Sequence, residues 1–101
     1  MFKLLNIRVV GPYDRYMEHS QVTSFYRAVD AASLGRSIAD ARKEAGLTQQ
    51  DVAEKLGVTR GTIVRLEHGE PVSSVIAMNA IRAVGRDVAL VPRFARLQVK
   101  Q

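Results

Sequence analysis

A chain of 101 residues with 47% apolar and 25% charged side chains is sized for one folded domain with a modest core. That balance excludes a disordered tail. No apolar run approaches the ~20 residues a bilayer crossing needs, and the absence of cysteine removes disulfides and thiolate metal sites. A net charge of +5 suits a polyanionic partner without specifying one.

The opening run Met1 to Val10 imitates a secretion signal only weakly, because Asn6 and Arg8 interrupt its apolar stretch and no small-residue cleavage site follows. The expected compartment is the cytoplasm, with no membrane partner. Phe2 to Val10 carries strand-compatible residues (Leu4, Ile7, Val9, Val10), and Gly11-Pro12 marks a turn. Residues 1–23 are read as an extension ahead of the domain. Two readings stand for Met17: the start of the functional chain, or an ordinary residue of a real extension. Val22 to Val29, with Phe25 and Tyr26, reads as a short extended lead into the first helix.

Asp30 or Ser33 caps that helix. Leu34, Ile38, Ala41 and Ala45 recur at helical spacing and form its expected buried face, while Arg36, Asp40, Lys43 and Glu44 point to solvent. Gly46 stops it. Next come two short helices with the same opening. Thr48 caps the first, with Asp51 three residues on, and Leu47 and Val52 flank the cap; Thr59 caps the second, flanked by Val58 and Ile63. Gly57 lies between them, where the backbone must turn left-handed. Ala53, Leu56, Ile63 and Leu66 then face a shared core, leaving Arg60, Gly61, Val64 and Arg65 outward. Two helices crossing at a tight turn form a helix-turn-helix, whose second helix enters the DNA major groove.

The residues Gly46-Leu47-Thr48-Gln49, Val52-Ala53, Gly57-Val58-Thr59, Ile63, Leu66-Glu67 and Gly69 resemble the Cro/repressor (Xre-type) helix-turn-helix family. The fold class expected is therefore mainly α: a compact four-helix, lambda-repressor-like domain over residues 24–93. The fourth helix follows a loop from His68 to Pro71, is capped by Ser73 or Ser74, and carries Ala77, Met78, Ile81 and Val84 at helical spacing up to Gly85. After it, Arg86 to Pro92 is strand-like, and an isolated strand needs a partner for its backbone groups. Thr23 to Tyr26, Phe2 to Val10, or the same strand of a second chain could supply one. The last choice makes Val88, Ala89, Leu90 and Val91 a dimer strand. Residues 94–101 are a basic tail.

The terminal Gly-x-x-Val-x-Leu-Val-Pro-Arg pattern, together with the opening of helix one, is similar to HipB-type antitoxins. That resemblance implies a homodimer that pairs such strands between subunits, represses its own operon and holds a HipA-like kinase toxin. The alternatives are a stand-alone or phage-type regulator without a toxin, or a pure protein-interaction module.

For DNA reading, Arg60 stands at the end of the recognition helix that docks deepest, and a guanidinium can donate two bonds to guanine. Arg65 comes second, as a base reader or a phosphate contact. Gly61 is unusual inside a helix; it reads as close approach of the backbone to DNA or as tolerance in the first turn. Gln49 opens its helix where backbone N–H groups can meet a phosphate, and Thr48 and Thr59 add phosphate contacts after their capping role. The resemblance implies phosphate proximity for His68 and for Arg42, and a salt bridge between Arg42 and Glu67. Glu67 sits at the helix end where an anion is disfavoured by the dipole, which favours a cationic partner. His19 and His68 are the only histidines and head no metal motif. No nucleophile, metal cluster or phosphate loop suggests catalysis, and no cofactor is expected.

Overall fold

The computed structural model describes residues 3–7, 23–93 and 99–100. Two units result: residues 1–26 with 90–101, and residues 27–89.

In the first unit, β1 (Lys3–Ile7) lies between β2 (Thr23–Phe25) and β3 (Val99–Lys100), both antiparallel to it. Lys3 pairs with Phe25 and Leu5 with Thr23 on one edge, and Ile7 pairs with Val99 on the other. The extended segments read near Phe2 to Val10 and Thr23 to Tyr26 thus find each other. The expected strand at Val88, Ala89, Leu90 and Val91 is corrected: these residues form no strand, and among the described residues none pairs with them. The two intrachain segments expected as its partners, Lys3–Ile7 and Thr23–Phe25, pair with each other instead. Leu90 is 95% exposed.

The second unit holds four helices: α1 (Ala31–Glu44), α2 (Gln49–Leu56), α3 (Arg60–Glu67) and α4 (Ser74–Ala83). Each opens on a side-chain cap that satisfies an otherwise unpaired N–H. The Asp30 carboxylate accepts from Ser33 N at 2.8 Å while Ser33 Oγ accepts from Asp30 N, so the two candidate caps serve as one box. Thr48 and Asp51 repeat the box on α2, Thr59 caps α3 and Ser73 caps α4. In both boxes the carboxylate titrates below its ordinary range, chiefly because backbone N–H groups donate to it: Ser33 N to Asp30, and Thr48 N to Asp51. Gly57 takes φ +71° at the turn between α2 and α3, where any Cβ would be strained.

The core is formed by Ile38 and Ala41 of α1, Val52 and Ala53 of α2, Ile63 and Leu66 of α3, and Ala80 and Ile81 of α4, closed by Val84. Several expected core residues lie elsewhere. Ala45 is exposed because it is the C-cap of α1 rather than part of its packed face, and Gly35 and Arg42 are buried instead. Leu34 and Leu56 are half-buried. Met78 is 46% exposed, since the buried stripe of α4 runs through Ala80, Ile81 and Val84 and turns Met78 outward with Val75. Val64, expected outward, is half-buried.

Candidate nucleic-acid interface

The two faces of α3 differ sharply. Ile63 is fully buried and Leu66 nearly so, while Arg60, Gly61 and Arg65 are exposed. Among the described residues Arg60 has no hydrogen-bond or ion-pair partner. Arg65 makes one long bond, from Nη2 to the Pro71 carbonyl at 3.4 Å. The Thr59 hydroxyl accepts from Thr62 N and lies 3.1 Å from the Thr62 hydroxyl, which leaves both hydroxyls on the exposed first turn. Thr48 at the start of α2 and His68 after α3 are also exposed, and Gln49 is half-buried.

The far end of α3 is fastened from behind. Glu67 is 7% exposed and Arg42 8%. Arg42 Nε donates to Glu67 Oε2 at 2.7 Å and Nη2 donates to Oε1 at 3.1 Å, a two-point pair between α1 and α3. Arg42 Nη1 donates to the Leu47 carbonyl at 3.0 Å, and Gln49 Nε2 donates to Glu67 Oε1 at 2.9 Å. One carboxylate therefore joins α1, the start of α2 and the end of α3. Among the described residues no buried side-chain polar atom lacks a partner, the condition under which a buried ion pair holds geometry rather than destabilising it.

A second fastening was not anticipated from the sequence. A Cβ at Gly35 would lie 2.5 Å from the Leu66 and Glu67 carbonyls, and one at Gly69 would lie 2.8 Å from Ala32 Cα. The first turns of α1 thus run against the backbone at the end of α3 at a separation only glycine permits. The available signal was a glycine inside a helix, where it costs roughly 1 kcal/mol relative to alanine and so calls for a packing reason.

This arrangement presents a small cationic helix face with its rear edge locked. It offers donors that suit base edges and phosphates, with hydroxyl groups beside them.

A helix-turn-helix family model matches residues 38–82, which span the end of α1 through most of α4. An uncharacterized HTH-type transcriptional regulator of Methanothermobacter thermautotrophicus is 51% identical over 51 residues, covering 50% of this chain and 74% of that protein. Among solved structures, HipB in a HipA–HipB–O2–O3 complex superposes with a TM-score of 0.62 at 18% identity, covering 68% of this chain and 99% of that one. A HipB variant in complex with an O2 20mer gives 0.63 at 18%, covering 68% and 97%. The clp gene regulator ClgR from C. glutamicum gives 0.53 at 29%, covering 63% and 82%. The chain belongs to the Xre-type helix-turn-helix family of transcriptional regulators.

Proposed function

We propose that this chain is a sequence-specific repressor that lays α3 in the major groove of a two-fold operator, binds as a homodimer and serves as the antitoxin of a HipB-type operon with a HipA-like kinase as partner. The observation that carries the DNA reading is Arg60: an exposed guanidinium without a polar partner among the described residues, on the first turn of a helix whose other face is buried. Arg60 reads guanine through two donated bonds, and Arg65, one turn further along the exposed side, contacts a base or phosphate. Thr48, Gln49, Thr59 and His68 meet phosphates, and their exposed or half-exposed positions support this. Arg42, with bonds to Glu67 and Leu47, serves mainly to hold α3 at its angle and lies near the backbone of the duplex.

The dimer reading rests on Val88, Ala89, Leu90 and Val91, an apolar exposed run with no ladder among the described residues; a second copy of the run supplies one across a two-fold axis. The antitoxin reading is supported by the fold shared with HipB, which is known in complex with HipA and O2. A second reading, a stand-alone or phage-type regulator without a toxin, is favoured by the 29% likeness to a clp gene regulator. A kinase-like gene beside this one supports the first reading, and its absence the second.

The deciding experiment selects bound duplexes from a random DNA pool and titrates the winner against wild type and Arg60→Ala. Expected are two protected half-sites ~34 Å or a multiple apart, binding that falls steeply with salt, and a loss of about 1 to 3 kcal/mol of base discrimination in the variant. A pool with no enriched sequence overturns the proposal.

A further inference from the structure

Six glycines lie among the described residues, and the fold dictates five of them. Gly46, Gly57, Gly69 and Gly85 occupy positive φ, and Gly35 is hemmed in by the Leu66 and Glu67 carbonyls. Gly61 shares neither reason. Its φ is not positive, and a Cβ placed on it meets only Thr59 Oγ1 at 3.8 Å, an ordinary contact. Alanine would fit there without displacing anything, and a helix is better served by alanine because glycine loses more backbone freedom on folding.

The position is also distinctive. At about 100° per residue, Gly61 lies on the far side of α3 from the Ile63, Leu66 and Glu67 stripe, with Arg65 one turn along the same line. The outermost line of the helix therefore has a bare backbone at its leading turn, between Arg60 and Thr62. A glycine that nothing among the described residues requires, at the centre of the exposed face, is accounted for by something outside the chain that must come close to the backbone.

We infer that Gly61 is the point of closest approach to the duplex: the α3 backbone there seats directly against base-pair edges in the major groove, and this depth lets Arg60 and Arg65 reach their targets. The inference rests on the DNA-reading role of α3 proposed above. Gly61 is accordingly a specificity determinant that acts by lacking a side chain. A methyl group on it lifts the helix and weakens the base contacts, while phosphate contacts on unrelated duplex, made without deep seating, persist.

The test compares wild type, Gly61→Ala, Gly61→Leu and Arg60→Ala on the duplex that wild type selects and on an unrelated duplex, with thermal unfolding of each protein. The expected result is that Gly61→Ala melts at or above the wild-type temperature yet loses about tenfold or more in affinity for the selected duplex, equivalent to ~1.4 kcal/mol. Gly61→Leu loses more, and affinity for unrelated duplex is retained by both. Undiminished affinity of Gly61→Ala and Gly61→Leu, alongside weakened Arg60→Ala, overturns this inference while sparing the DNA-reading role. A lowered melting temperature in Gly61→Ala overturns it by returning the glycine to the fold. Failure of wild type to select any duplex removes both.

Discussion

The two ends of α3 teach opposite lessons from the same eight residues. At its far end, Leu66 and Glu67 are buried, the Glu67 carboxylate accepts three hydrogen bonds from Arg42 and Gln49, and α1 lies against its carbonyls at a glycine. At its leading end, Arg60 and Gly61 are exposed, with no polar partner for Arg60 among the described residues and room for a Cβ on Gly61, whose nearest neighbour would be Thr59 Oγ1 at 3.8 Å. A reading head needs both: a rigid mount to fix its angle, and a face free to make bonds with something else.

The largest expected effect lies at the mount. Glu67→Ala leaves the Arg42 guanidinium buried without its counter-charge, and the expected loss is about 3 to 5 kcal/mol of unfolding free energy by urea titration. An unchanged midpoint would mean that Arg42 escapes to water and that the pair holds nothing. Next in size is Gly35→Ala, which forces α1 away from the end of α3. Overpacking of this kind costs about 1 to 3 kcal/mol, and the selected duplex should be bound less tightly even at temperatures where the variant stays folded. Arg60→Ala probes the other end: stability should stay within ~0.5 kcal/mol of wild type, because the side chain has no polar partner to lose among the described residues.

The smallest effect is expected in acid. The Asp30 and Asp51 carboxylates titrate below their ordinary range because backbone N–H groups of Ser33 and Thr48 donate to them. A lowered folded-state value means the stabilisation is complete above the unfolded value and is lost as pH falls through the folded one. A thermal melt series should therefore be flat with respect to these caps at neutral pH and decline only in acid below the ordinary aspartate range. Asp30→Asn and Asp51→Asn together should flatten that decline.

Much of the helical unit was legible residue by residue. Caps at Asp30, Thr48, Thr59 and Ser73, and the left-handed turn at Gly57, depend on contacts within a few positions, so local chemistry suffices to place them. The same holds for Ile38, Ala53, Ile63 and Ile81, which sit near the middle of their apolar stripes. Errors gathered at the margins of stripes. Met78 and Ala45 fit the helical period, yet neighbouring helices cover Ala80 and Gly35 instead. The strand expected at Val88 to Val91 failed for a related reason: β-propensity describes a surface ready to pair, and pairing is decided by which edges lie within reach.

What the sequence determined by itself, then, is the local grammar: where each helix starts and stops, and that two short helices meet at a glycine turn. Tertiary structure alone decided how far each face is rotated toward the core, that β1 joins Thr23–Phe25 and Val99–Lys100, and that α1 and α3 touch at the Gly35 backbone. The physical reason is range. Caps and turns are governed by hydrogen bonds between residues three or four apart, whereas burial, strand partners and close backbone approach depend on residues brought together from 18 or more positions away, about which propensity and periodicity are silent.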